Sequence, residues 1–192
     1  MTDWAQIGVV RGEDGHKRCG WSTSAPDYVA YHDDEWGRPV VDDVRLYEKI
    51  CLEGFRSGLS WLTILRKREG FRRAFAGFDP DVVSGFGVTD VERLLADAGI
   101  VRHRGKIEAA IANARGTLAL RDAGTPLPDL MWEYRDTTNA AELSKRLKAA
   151  GFRFVGPTTA YAAMESLGVV NDHLAGCYVR AACEADRRAI EI

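Results

Sequence analysis

Signals for the start and the end of helices recur along nearly the whole chain, and this feature limits the folds open to it. The segment "VDDVRLYEKICLEGF" (41–55) places its apolar residues at helical spacing, and Asp42 or Asp43 is suited to cap it. Alternating runs of strand length do not compete with such segments. The sequence therefore predicts an all-α fold.

Other segments carry helix boundaries of their own. Asp79 precedes Pro80, the preferred order at a helix start. Thr89 and Glu92 have the spacing of a capping box, and Gly99 is expected to end that helix in the left-handed conformation. The stretch "RDAGTPLPD" is predicted to be the clearest loop and a boundary between two helical lobes. Further helices are predicted over 58–68, 104–120, 139–151, 157–168 and 171–183.

Length and composition indicate an ordinary globular protein of one domain or of two lobes that share a core. The chain has 192 residues, and its apolar runs are too short for a membrane span. Its first residues carry no secretion signal, so we expect a cytoplasmic protein without a membrane partner. Cysteines in that compartment are free, bound to metal or reactive rather than paired in disulfides.

Charge is distributed unevenly along the chain. The net charge is −2, which argues against tight indiscriminate binding of nucleic acid. Residues 66–121 nevertheless carry 11 Lys or Arg against 7 Asp or Glu, so the middle of the chain is its basic part. A local basic patch therefore remains open.

A histidine and a cysteine stand four positions apart near the C-terminal end, at His173 and Cys177. On a helix this spacing places both side chains on one face, and both residue types bind zinc. Cys19 and His32 are the best candidates for two further ligands, because Cys51 lies on an apolar helix stripe. The spacing from Cys19 to His32 is not that of a standard zinc motif. Ordinary core histidines and buried thiols remain the alternative.

The segment "ADAGIVRHRGKIEAA" (96–110) has the pattern of a helix, a tight turn and a second helix. Gly99 and Gly105 permit unusual backbone angles in the turn. Basic residues lie at the start of the second helix, where free N–H groups and the helix dipole attract phosphate. A solvated turn between two packed helices explains the same pattern equally well.

Six blocks follow one another along the chain: "RCGW", "AYHDDEWG", "ICLEGFRSGLSWLTILRKRE", "DAGIVRHRGKI", "GFRFVGPTTAY" and "GVVNDHLAGC". Together they resemble the 3-methyladenine DNA glycosylase I family of bacteria, over residues 18–177. The resemblance implies an all-α, helix–hairpin–helix DNA glycosylase fold of two helical lobes, with the hairpin near 89–118. Residues 1–17 would be an N-terminal extension before a single glycosylase domain, 18–192.

The resemblance implies a structural zinc ion that joins the terminal segments. The matching ligands are Cys19, His32, His173 and Cys177. Four protein ligands close a zinc site to water and substrate, so this zinc would be structural and not catalytic.

The resemblance also implies contacts with double-stranded, alkylated DNA. Gly58 and Leu59 match the position at which the family probes the duplex and fills the gap left by a flipped nucleotide. Plain helix packing is the alternative for Leu59. The hairpin departs from the usual "GVG" form, and its predicted DNA contacts are Arg102, Arg104, Gly105 and Lys106.

Glu53 matches the family's glutamate that contacts the flipped base. We expect it to bind 3-methyladenine and to stabilise its positive charge, although a helix-end glutamate exposed to water is the simpler reading of the residue alone. Tyr31 and Trp61 match the aromatic pocket, and Trp21 and Trp36 lie close to the matched motifs. Each of these aromatic residues could equally belong to the core.

The activity implied is hydrolysis of the N-glycosidic bond of 3-methyladenine in DNA base-excision repair, by a monomer and without strand cleavage. N3-methylation already makes the base a cationic leaving group, so little acid catalysis is needed. The alternative is a zinc-stabilised module that binds alkylated DNA without turnover.

Overall fold

The computed structural model describes residues 8–191, and most of them are helical. No helix within this range is both long and apolar enough to cross a membrane. The α-helices are α1 Pro26–Asp34, α2 Asp43–Arg56, α3 Trp61–Ala74, α4 Pro80–Val83, α5 Val88–Ala96, α6 Arg104–Asp122, α7 Leu127–Trp132, α8 Ala140–Ala149, α9 Pro157–Ser166 and α10 Arg180–Arg188.

A small antiparallel hairpin, which the sequence did not predict, precedes the helices. Strand β1 (Val9–Arg11) pairs with β2 (Lys17–Cys19) in the register Val10 opposite Arg18. Both strands have three residues, too few for an alternating pattern to be recognised. This hairpin lies largely within the predicted extension 1–17, of which residues 1–7 lie outside the described range. Cys19 is the last residue of strand β2.

The chain forms two compact units. The terminal unit contains residues 8–40 and 164–191, so both ends of the described chain belong to it. The central unit contains residues 41–163. The predicted boundary at 121–129 is wrong, because the link between α6 and α7 lies inside the central unit and α6 extends to Asp122.

The core of the central unit forms around α2, which packs against α3, α6 and α7. The predicted cap is confirmed, since the Asp42 carboxylate accepts a hydrogen bond from the Arg45 amide at 2.9 Å. Tyr47 donates from its hydroxyl to the Ala110 carbonyl at 2.8 Å and ties α2 to α6. Buried aromatic rings fill the space beside α2: Phe55, Phe71, Phe75 and Phe78.

Two other predicted caps are also present. The Asp79 carboxylate accepts from the Asp81 amide at the start of α4, and the Asn139 side chain accepts from the Glu142 amide at the start of α8. These boundaries are set by contacts two or three residues apart, which a local sequence pattern contains.

The predicted boundaries of α5 are wrong at both ends. The helix starts at Val88, so its cap is Gly87 and not Thr89, and the Asp90 carboxylate accepts from the Gly87 amide at 3.1 Å. Gly99 is not in the left-handed region. It is placed instead by close packing, because a Cβ atom on Gly70 would lie 2.5 Å from the Gly99 carbonyl oxygen.

Candidate functional site

Four metal-binding side chains meet in the terminal unit, and they are the four that the resemblance selected. One donor atom from each of Cys19, His32, His173 and Cys177 lies within 4.8 Å of all the others, and all four residues are buried. The Cys177 sulfur lies 3.4 Å from His32 Nε2 and 3.6 Å from His173 Nδ1. The Cys19 sulfur lies 3.7 Å from the same His173 nitrogen. The cluster can therefore hold a metal ion.

His173 and Cys177 do not lie on a helix, so that prediction is wrong although their spacing did identify the pair. Residues 171–179 lie outside the helices and include two short turns, and α10 begins only at Arg180. The Cys177 amide donates to the Leu174 carbonyl at 2.9 Å, and Gly176 has a φ of 89°, which favours glycine. A turn closed in this way also brings residues four positions apart to the same side.

Hydrogen bonds orient both histidine rings towards the cluster. His32 Nδ1 lies 2.8 Å from the Asp33 carboxylate, which places its proton there and leaves Nε2 free to bind a metal. His173 Nε2 lies 3.1 Å from the Trp36 carbonyl, which leaves Nδ1 as the donor atom. The Leu174 amide donates to the Cys19 sulfur at 3.2 Å. These contacts are the outer-shell interactions that a metal site needs.

The two thiols of the cluster interact directly. Their mutual hydrogen bond lowers the pKa of Cys177 and raises the pKa of Cys19. A thiolate is therefore already favoured at Cys177, and a bound metal would take both sulfurs as thiolates. Behind His32, the Arg18 guanidinium donates to Asp33 at 2.7 to 2.9 Å and fixes its carboxylate.

The other two cysteines do not join the cluster. Cys183 lies 3.5 Å from His173 Nε2, the ring nitrogen that faces away from the other donor atoms. Cys51 is buried in the central unit, accepts from the Asn113 side chain at 3.7 Å, and burial raises its pKa to about 12. It is a structural thiol, as predicted.

Three aromatic residues predicted to contact the base belong to the terminal unit. Trp36 packs edge-on against the His173 ring with centroids 4.5 Å apart, and Trp21 packs edge-on against both His32 and Trp36. Tyr31 is buried and lies beside Trp21. The structure thus gives Trp21 and Trp36 a packing role around the cluster, and their contact with a base stays a prediction.

Glu53 lies three residues before the end of α2 and is only 5% exposed, so the simpler interpretation as a water-exposed helix end is wrong. Burial raises the pKa of its carboxyl group, while the charges of Lys49 and Arg56 oppose that shift. Arg56 Nη1 donates to Glu53 Oε2 at 3.0 Å. A buried carboxylate with two cations beside it is a strong electrostatic centre.

Trp61 lies next to the same charges at the start of α3. The Lys49 ammonium lies 4.0 Å from the centroid of the Trp61 ring, and both residues are buried. The sequence interpretation missed Lys49 and Arg56. Their positions, four before and three after Glu53, place them on its side of the helix and could have identified them.

The predicted wedge residues lie in the short link between α2 and α3. Gly58 has a φ of 80°, and Leu59 is 41% exposed. The Leu59 amide donates to the Arg56 carbonyl at 2.6 Å, and Ser60 caps α3 by accepting from the Thr63 amide. Leu59 therefore stands on an ordered turn and is not packed as a core residue.

The turn between α5 and α6 presents some of its predicted DNA contacts and hides one. Arg102 is exposed, and Arg104, also exposed, pairs with Glu92 at 2.6 Å. His103 caps α6 by accepting from the Lys106 amide at 3.2 Å, and Gly105 has an ordinary φ.

Lys106 is only 8% exposed, and its ammonium donates to two backbone carbonyls inside the central unit. These contacts contradict the prediction that its side chain contacts DNA. Burial also lowers its pKa. The charge of this residue is directed inward because the third residue of α6 faces the end of α2.

Comparisons with known proteins agree on one protein family. The model of the family described as methyladenine glycosylase matches residues 21–181. The chain is 47% identical over 178 residues to DNA-3-methyladenine glycosylase 1 of Escherichia coli strain K12, covering 84% of this chain and 95% of that protein. It is 41% identical over 177 residues to DNA-3-methyladenine glycosylase of Haemophilus influenzae, covering 83% and 96%.

Solved structures give the same result at the level of the fold. A crystal structure of 3-methyladenine DNA glycosylase I matches with a TM-score of 0.81 at 45% identity, covering 84% of this chain and 98% of the other. The enzyme from Staphylococcus aureus, in a structure described as the basis of 3-methyladenine recognition, matches with a TM-score of 0.81 at 35% identity, covering 85% and 96%. On its sequence and its fold, this chain belongs to the methyladenine glycosylase family.

Proposed function

We propose that this protein removes 3-methyladenine from alkylated double-stranded DNA by hydrolysing the N-glycosidic bond, as a step of base-excision repair. The observation that carries the proposal is the buried Glu53 carboxylate beside Trp61, in a chain whose relatives are named for this reaction. An enzyme that acts on a base must take it out of the stack, and a buried polar centre with an aromatic face can receive such a base.

Glu53 stabilises the positive charge of the methylated base and does not act as a general acid. The 3-methylated nucleotide carries a delocalised positive charge, and an ionised carboxylate in a poorly solvated site attracts it strongly. Arg56 engages Oε2 of Glu53, which leaves the second oxygen for the edge of the base. Lys49 and Arg56 favour the ionised carboxylate against the effect of burial.

The departing base needs little further help, because it leaves as a neutral molecule once the glycosidic bond breaks. The sugar passes through an oxocarbenium-like state and is then attacked by water. Trp61 offers a ring face for stacking, which is worth about 1–3 kcal/mol per base. The reaction forms no covalent intermediate with a lysine, so we expect an abasic site and an intact strand.

We propose that the cluster of the terminal unit holds a structural zinc ion. Tetrahedral zinc, with bonds of about 2.3 Å to sulfur and about 2.0–2.1 Å to nitrogen, separates a sulfur from a nitrogen ligand by roughly 3.5 Å. Three of the four sulfur–nitrogen distances in the cluster, 3.4, 3.6 and 3.7 Å, agree with this value. The ion would fix strand β2, helix α1 and the 171–179 segment to one another.

DNA binding is assigned to the central unit, as a helix–hairpin–helix formed by α5 and α6. Arg102, Arg104 and the backbone near Gly105 would contact phosphates at the N-terminus of α6, and Leu59 with Gly58 would enter the duplex. Contacts of the first kind position the protein without reading the sequence.

Release of the free base tests the proposal. Duplex DNA treated with a methylating agent is incubated with the protein, and the soluble fraction is separated by chromatography. Enzymatic release of 3-methyladenine supports a glycosylase, and tight damage-dependent binding without release would replace it with the binding module.

A further inference from the structure

Lys106 differs from Arg102 and Arg104, the other charged residues predicted to contact DNA, because its charged group is buried. Its Nζ atom lies 2.8 Å from the Phe55 carbonyl oxygen and 2.6 Å from the Ser57 carbonyl oxygen. Burial lowers its pKa, and no negative charge among the described residues opposes that shift. Burial of an ammonium group whose partners are only carbonyl oxygens costs folding free energy, so the position of Lys106 requires an explanation.

The two carbonyls lie at the C-terminal end of α2. The last carbonyls of a helix have no partner within the helix, and a cation there is stabilised by the helix dipole. Lys106 therefore caps the C-terminal end of α2, although it lies 51 residues from Phe55 along the chain. The capped turn is the one that follows Glu53.

The same carbonyls bracket the turn that presents Leu59. Lys106 holds the oxygens of Phe55 and Ser57, and the oxygen between them, that of Arg56, accepts from the Leu59 amide at 2.6 Å. Gly58 then turns the chain with a φ of 80°. The position of the exposed Leu59 side chain thus depends on carbonyls that Lys106 fixes.

The backbone of Lys106 belongs to the helical hairpin formed by α5 and α6. It is the third residue of α6, and its amide donates to the capping side chain of His103 at 3.2 Å. Arg102 and Arg104 lie within four residues of it and are exposed. One residue therefore joins the segment with exposed arginines to the link that carries Leu59.

We propose that Lys106 is a positioning residue that couples the hairpin to the α2–α3 link, so that seating of the hairpin on phosphates sets the depth and direction of Leu59 in the duplex. This role rests on the proposed function and replaces the direct phosphate contact. Lys106 acts through Leu59 and touches neither the base nor the DNA.

The test compares Lys106→Met with Lys67→Met in the full-length protein. Lys67 is the matched control, because its ammonium also donates to a backbone carbonyl, that of Ala98 at 2.8 Å, but the residue is only half-buried. Lys106→Met should lower kcat for release of 3-methyladenine from duplex DNA roughly 10- to 100-fold, the factor expected for hydrogen bonds to a charged group. KM should change little, since Arg102 and Arg104 remain.

Two further readouts distinguish positioning from loss of the fold. Binding of free 3-methyladenine, followed by tryptophan fluorescence, should stay at the wild-type value in Lys106→Met. The double variant Lys106→Met with Leu59→Ala should be no slower than Leu59→Ala alone, because both changes remove the same action. Additive losses would overturn the proposal.

Lys106→Arg covers the case in which the methionine variant does not fold. It keeps the charge, so a residue that bound phosphate would retain full activity, whereas a larger group between the two carbonyls should displace Leu59 and lower kcat. Wild-type kcat in Lys106→Arg, or a raised KM with a weaker salt dependence in Lys106→Met, contradicts the inference. Absence of base release by the wild-type protein would instead refute the proposed function.

Discussion

Replacement of Cys19 by serine is the sharpest test of the metal site. The Cys19 sulfur is fully buried, lies 3.7 Å from His173 Nδ1 and accepts a hydrogen bond from the Leu174 amide. A serine hydroxyl is shorter and keeps its proton at neutral pH, so three ligands remain and the metal is released.

The expected loss of stability follows from binding linkage. A metal present at a thousand times its dissociation constant stabilises the folded state by about 4.1 kcal/mol. Since 1 kcal/mol shifts the Tm of a chain of this size by roughly 2–4 °C, loss of the metal should lower Tm by roughly 8–16 °C. The Leu174 amide, left without its sulfur acceptor, adds about 1–3 kcal/mol to the loss.

Metal content by mass spectrometry and Tm by scanning calorimetry, with and without a chelator, are the two measurements. The control is Cys183→Ser, which makes the same chemical change at a buried thiol that lies outside the cluster. Wild type and Cys183→Ser should each contain one zinc per chain, and Cys19→Ser none. Metal-free wild-type protein whose Tm does not respond to the chelator would refute the reasoning.

Four other predictions concern the central unit. Because burial raises the pKa of Glu53, binding of free 3-methyladenine should weaken as the pH falls through that raised pKa, above the ordinary value of about 4.3, and Glu53→Gln should remove this dependence. The same group stabilises the fold fully below its unfolded pKa, and this contribution is lost as the pH rises through the folded pKa, which urea unfolding from pH 4 to 8 can follow. Gly70→Ala should destabilise the protein by about 1–3 kcal/mol in urea unfolding despite the better helix former, since its Cβ would meet the Gly99 carbonyl at 2.5 Å; a neutral effect would contradict the packing. Arg102→Ala should reduce the slope of log K against log salt for duplex binding by about 1, and an unchanged slope would remove Arg102 from the interface.

Local signals in the sequence predicted much of the helical fold. Asp42 and Asn139 cap their helices as expected, since a cap is decided within three residues. The three-residue strands β1 and β2 were missed, because they depend on pairing with each other and not on a pattern within either. The start of α5 was misplaced because Thr89 and Asp90 are both suitable capping residues, and only the backbone shows that Asp90 meets the Gly87 amide.

In the candidate sites, too, the features set by local sequence were predicted and those set by tertiary packing were not. The four residues of the cluster were named from their residue types and then from the resemblance, whereas the predicted helical setting of His173 and Cys177 was wrong, since a turn satisfies the same spacing. The direction of Lys106 could not be predicted, because its partners are 49 and 51 residues away along the chain. A basic residue at a helix start is suited to phosphate and to a neighbouring helix end alike, and only tertiary packing selects one of them.

The most direct test of the central claim is release of 3-methyladenine from methylated duplex DNA by wild type, Glu53→Gln and Glu48→Gln. Glu48 is the matched control, a buried carboxylate on the same helix that is paired with Arg72 at 2.8 Å. Wild type and Glu48→Gln should release the base, and Glu53→Gln should be slower by roughly 10- to 100-fold, the cost of one hydrogen bond to a charged group. Equal rates for Glu53→Gln and wild type would contradict the account.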